Sequence, residues 1–173
     1  MAEPRLPSVI ATHPIPSCLN QRSISSGSFF TLGSTTVTAT AIDAAGNQAT
    51  CSFTVTVGYN FRGFLSPVDN PPTVNKQKAG STIPIKFSLS GNKGLNIFAP
   101  GYPVSQQIDC GSQAPVGNLE PTVTPGSSSL SYDPTTDTYT YPWKTDKAWA
   151  GTCRQLMVKL SDGTVHVLIF AFQ

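Results

Sequence analysis

The sequence predicts an all-β protein built of antiparallel β-sandwich modules, and three observations carry that expectation. Only 12% of the 173 residues are charged, about half the usual share of a soluble domain. The places are taken by 19 Ser and 20 Thr, with 14 Gly and 15 Pro beside them. These residues are poor helix formers, whereas Thr, Val, Ile and the aromatics suit a pleated strand. Apolar and hydroxyl residues then alternate with period two over several segments, the mark of a half-buried antiparallel strand. Finally, short strand-like segments recur between turn signals at the spacing of β-sandwich domains. A coiled coil and a long-helix protein are excluded. A net charge of +2 supplies none of the clustered Lys and Arg that nucleic acid or an anionic membrane requires. No apolar run approaches the roughly 20 residues that span a bilayer.

Residues 1–17 carry Pro4, Pro7, Pro14 and Pro16 and are expected to form an extended arm or linker, with one short strand at residues 8–12. Met1 to Pro7 has no apolar core, so the segment is no signal peptide and a processed form or fragment is expected. Residues 19–34 are rich in Ser and Gly and loop-like. Residues 36–42 then place Val37, Ala39 and Ala41 at every second position, and residues 51–57 do the same with Cys51, Phe53, Val55 and Val57. Asp43-Ala44-Ala45-Gly46-Asn47 between them is turn chemistry, so the two segments read as a hairpin.

Residues 58–72 form a junction of turn residues and apolar anchors. Beyond it, strands are expected at 81–89, 104–109, 129–132, 138–143, 153–160 and 164–172. Pro84 puts the first of these at an edge or a bulge. The turns Asp133-Pro134-Thr135-Thr136-Asp137 and Ser161-Asp162-Gly163-Thr164 read as hairpin connections. The last strand is apolar on both faces, so it is expected to lie centrally or to be covered on its second face. Four cysteines, Cys18, Cys51, Cys110 and Cys153, allow three pairings. The expected one is sequential, Cys18–Cys51 and Cys110–Cys153, which keeps each bridge within one block of composition. It implies an oxidising compartment.

Two stretches resemble known families. Gly33-Ser34-Thr35-Thr36-Val37-Thr38-Ala39-Thr40-Ala41-Ile42-Asp43-Ala44-Ala45-Gly46-Asn47, continuing to Cys51-Ser52-Phe53-Thr54-Val55-Thr56-Val57, resembles the C-terminal half of an HYR (hyalin repeat) domain. That resemblance implies an Ig-like fold and an extracellular, adhesion-associated module over residues 18–58. Residues 61–173 resemble the PxKF domain of large secreted or surface proteins of bacteria. The naming motif stands as Pro84-Ile85-Lys86-Phe87, with Ile108-Asp109-Cys110 and Trp143-Lys144-Thr145-Asp146-Lys147-Ala148-Trp149 as further matching pieces. No activity is carried over with it.

No catalytic residue, cofactor or metal is expected. Nucleophilic catalysis needs a nucleophile, a base and an orienting group, and His13 and His166 are the only histidines. Ser90-Gly91-Asn92-Lys93 fits S-x-x-K in form but stands in a Gly/Asn turn. Asp133, Asp137 and Asp146 could pair as glycosidase carboxylates, yet all three sit in turn contexts. Asp43, Asn47 and Asp69 are weak calcium candidates, in positions where turns demand those residues anyway. Lys86, mid-strand, is a minor candidate for an intramolecular crosslink. Tyr139, Tyr141 and Trp143 share one strand face and, with Trp149, are a candidate stacking platform for glycans. The leading expectation is a non-enzymatic extracellular structural or adhesion module of a bacterial surface or secreted protein. Its copies are expected to self-associate through exposed strand edges into an oligomer or fibre; a carbohydrate-binding module is the alternative.

Overall fold

The structure, a computed structural model, describes residues 29–42 and 44–173. The arm expected over residues 1–17, Cys18 and Asp43 lie outside the described residues. The chain divides into two compact units, Met1–Tyr59 and Asn60–Gln173.

In the first unit, β1 (Gly33–Ile42) and β2 (Gln48–Val57) form the expected hairpin. It is longer than the alternating segments alone, because the pairing runs unbroken from Gly33 opposite Val57 to Ile42 opposite Gln48. Period two sorts the side chains onto two faces. Thr35, Val37 and Ala39 lie opposite Val55, Phe53 and Cys51 on one face. Ser34, Thr36, Thr38 and Thr40 lie opposite Thr56, Thr54, Ser52 and Thr50 on the other.

The second unit contains β3 (Phe64–Leu65), β4 (Val74–Gln77), β5 (Thr82–Phe87), β6 (Val104–Ile108), β7 (Pro115–Pro121), β8 (Ser131–Asp133), β9 (Thr138–Lys144), β10 (Cys153–Lys159) and β11 (Val165–Phe172). A single 3-10 turn, Lys147–Trp149, is the only helical element among the described residues. The strands form a five-stranded sheet in the order β4-β11-β10-β6-β7 and a four-stranded sheet in the order β3-β5-β9-β8. The inward positions of both sheets are apolar: Ile83, Ile85 and Phe87 on β5, Tyr139, Tyr141 and Trp143 on β9, Leu156 and Val158 on β10, Leu168, Phe170 and Phe172 on β11. The two layers meet where Trp143 sets its ring edge-on against Phe170 at 5.1 Å and Phe172 at 6.0 Å.

One expectation is corrected here: the sandwich is not wholly antiparallel, because β4 runs parallel to β11. Pro84 does stand at an open edge, although β5 lies between β3 and β9. The proline is tolerated for a local reason. β3 reaches only Phe87 and Lys86, leaving Pro84 without a neighbour on that side, and across β9 it faces Pro142. Two residues without N–H groups thus oppose each other instead of breaking a ladder. β11 lies between β4 and β10, as its two apolar faces require. On its outer face Ile169 packs with Ile108 and Cys153, flanked by Val74, Val167 and Ala171.

Candidate functional site

The four aromatics considered for a glycan platform do not form one. Tyr139 and Trp143 are 0% exposed and Tyr141 is 7% exposed. Period two places the three on one face, as expected, but that face is the inside of the sandwich. Tyr139 stacks on Phe87 at 5.6 Å, and the Tyr141 hydroxyl is paired with Thr122 at 2.6 Å. Burial raises the Tyr141 phenol above its ordinary value, and the Thr122 bond works against that rise. Trp149 alone of the four keeps a partly open surface. One of its faces is covered by the guanidinium of Arg154, 3.9 Å from the ring centroid.

Arg154 was not singled out by sequence reasoning, although a signal existed. It stands in phase with Leu156, Val158 and Leu160 on a strand whose inward face is otherwise apolar. Its Nη1 donates to Glu120 Oε2 at 2.8 Å and its Nη2 to Glu120 Oε1 at 3.1 Å, a two-pronged ion pair from β10 to β7. Nη1 also lies 3.3 Å from the Ser105 hydroxyl, while Arg154 Nε and Trp143 Nε1 are buried without a hydrogen-bond partner. The arrangement fixes an edge strand to the core. It presents no reacting group.

The remaining candidates serve local structure. Asp137, in the left-handed region at φ +50°, accepts from Ser88 Oγ at 2.7 Å, the Gly91 amide at 2.9 Å and the Tyr132 hydroxyl at 2.9 Å. The Ser88 bond above all holds its carboxyl below the usual range, against the effect of burial. Asp133 accepts from the Thr135 amide and the Thr136 hydroxyl within its own turn. Asp146 caps the 3-10 turn through the Ala148 amide. Each of the three carboxylates is therefore engaged in holding a turn. Ser90 and Lys93 occupy the loop after β5, where Ser90 accepts from Asn60 and the Lys93 amide donates to the Tyr139 hydroxyl. Lys86 points outward, in register with Thr140.

Of the calcium candidates, Asn47 stands in the turn between β1 and β2, and Asp69 belongs to the second unit. Asp69 is held by its backbone: Asn75 accepts from its amide at 2.8 Å and donates to its carbonyl at 3.0 Å. Asn70 clasps Phe64 in the same reciprocal way, at 2.7 and 2.8 Å. A Cβ on Gly63, at φ +106°, would stand 2.9 Å from Asn70 Oδ1, so the clasp needs glycine there. No grouping of three or more His, Cys, Asp or Glu suited to a metal occurs among the described residues.

Cys110 and Cys153 are bonded, tying the loop after β6 to the start of β10. Cys51 is also disulfide-bonded; its expected partner, Cys18, lies outside the described residues.

Residues 12–57 match the HYR domain family. The matched range takes in the hairpin and six residues of the segment read as an arm. No curated protein matches the chain. An HYR domain is an extracellular, adhesion-type Ig-like module and belongs to no enzyme family. Together with the Cys110–Cys153 bridge, the match suggests an extracellular location, since disulfides persist in oxidising compartments. No helix among the described residues is long and apolar enough to cross a membrane.

Proposed function

We propose that the chain is a non-enzymatic structural or adhesion module of a bacterial surface or secreted protein, and that its copies associate by strand addition through residues 1–17. In this reading residues 61–173 are a PxKF-type domain. Its naming segment supplies β5, with Ile85 and Phe87 in the core and Pro84 and Lys86 turned outward.

One contrast carries the reading. The outer strands of the sandwich are all guarded against pairing with a foreign strand. β3 and β8 have two and three residues, and β4 has four including Lys76. β7 is closed by Pro115 and Pro121 and is bulged opposite β6. The hairpin has none of these guards: its strands run ten residues each, without a charge, a proline or a register break. A two-stranded sheet is marginal in water, so β1 and β2 require further strands. Residues 1–17 of a second copy are the proposed source.

Light scattering on a sizing column tests this. The full chain is expected to run as an oligomer, and a chain beginning at Cys18 as a monomer. An oligomeric state unchanged by the truncation overturns strand addition.

A further inference from the structure

The second unit begins with a ring stack. Phe61 lies flat on His166 of β11, with centroids 3.6 Å apart and planes 19° from parallel. Phe61 also meets the aromatic core, edge-on to Phe64 at 5.1 Å and tilted against Phe87 at 5.8 Å. His166 is half-buried and its Nε2 lies 3.2 Å from the Thr164 hydroxyl. Among the described residues, Asn60 adds a side-chain tie to Ser90. From Phe64 onward the chain is held by pairing with β5 and by the Asn70 clasp.

We propose that His166 and Phe61 form a pH-sensitive clasp that docks residues 60–63 onto the sandwich at neutral pH and releases them on acidification. This goes beyond the adhesion reading and does not depend on it.

The groups around the imidazole decide the sign. Val158 of β10 lies across from it in register, and Phe61 covers it from the entering segment; both are apolar. Lys159 sits on the other face of β10, over the Tyr102 ring, and Arg62 follows Phe61 in the chain. The charged group acting on the ring is Asp162, in the turn before β11. Its attraction raises the proton affinity of His166, but burial outweighs it and holds the imidazole below its ordinary value. The undocked state therefore binds a proton more readily than the docked one. Docking is at full strength well above about pH 6.5 and weakens as the pH falls through the ordinary histidine range. Release frees four residues, adding about 13 Å of reach to the chain that enters the sandwich.

Hydrogen exchange on the full chain tests the clasp, with rates corrected for the intrinsic effect of pH. Between about pH 7 and pH 5, exchange over residues 58–63 should rise severalfold. Exchange over β10 should stay constant. His166→Phe, which keeps a stacked ring but cannot take a proton, should abolish the rise. In Phe61→Leu the His166 resonance should titrate closer to the ordinary value. The proposal is overturned by a rise of equal size in His166→Phe, by a rise shared by all peptides, or by an unshifted His166 titration in Phe61→Leu.

Discussion

Arg154 occupies an inward strand position that its neighbours Leu156 and Val158 fill with hydrocarbon, and its partners explain why a charge is tolerated there. The guanidinium lies against Trp149, reaches Ser105, and meets Glu120 with both terminal nitrogens. The partners differ in exposure, 5% for the Arg154 side chain and 46% for that of Glu120. Removing one partner is then not equivalent to removing the other. Glu120→Ala leaves a buried cation with nothing to neutralise it and should cost about 2 kcal/mol, below the full buried-pair figure because water reaches the outer side. Arg154→Met leaves a carboxylate that can turn into solvent and replaces the stem with apolar volume, so it should cost about 1 kcal/mol. Urea unfolding followed by circular dichroism measures both. A larger loss for Arg154→Met would show that stacking on Trp149, and not the ion pair, supports the site.

The Cys110–Cys153 bridge acts on elements: it joins the loop after β6 to β10, its central neighbour, across a sequence separation of 43. A loop of that length, left open in the unfolded chain, corresponds to about 4 kcal/mol on the chain-entropy view. Cys153 also packs with Ile108 and Ile169, so part of the effect is lost contact. Replacing both cysteines by alanine should lower the unfolding free energy of residues 60–173 by about 3–4 kcal/mol in urea, and a loss below about 1 kcal/mol would mean that the bridge constrains little. This pairing was legible in the sequence, because both of its cysteines lie in one block of composition. The long alternating strands were legible for a similar reason, since Thr36 to Ile42 and Thr138 to Trp143 repeat at period two. β4 and β7 were not. Val74-Asn75-Lys76-Gln77 and Pro115-Val116-Gly117-Asn118 have no alternation to read, being edge strands whose pairing is decided by neighbours far away in sequence. The glycan platform failed on a related point. Periodicity showed that Tyr139, Tyr141 and Trp143 share a face, but which face points inward depends on the second sheet.

The two units differ in what each can bury, and that difference should be visible in how the whole chain unfolds. Residues 60–173 contain two packed sheets, the Cys110–Cys153 bridge and both tryptophans, Trp143 and Trp149. Residues 1–59 contribute, among the described residues, a hairpin in which Val37 and Val57 are the only buried apolar side chains. A chain of about 60 residues buries only some 60% of its unfolded surface, so the first unit should be much the weaker. Unfolding in urea should then depart from a single transition. Tryptophan fluorescence reports only the second unit and should give one midpoint, whereas circular dichroism should show an earlier phase as well, the loss of the hairpin. A fragment spanning residues 60–173 should reproduce the fluorescence midpoint of the full chain and lack the early phase. Coincident transitions by both probes, or a fluorescence midpoint that falls markedly when residues 1–59 are removed, would show instead that the two units stabilise each other. The hairpin would then owe its folding to the rest of its own chain, and the case for a second copy as the source of its missing strands would weaken accordingly.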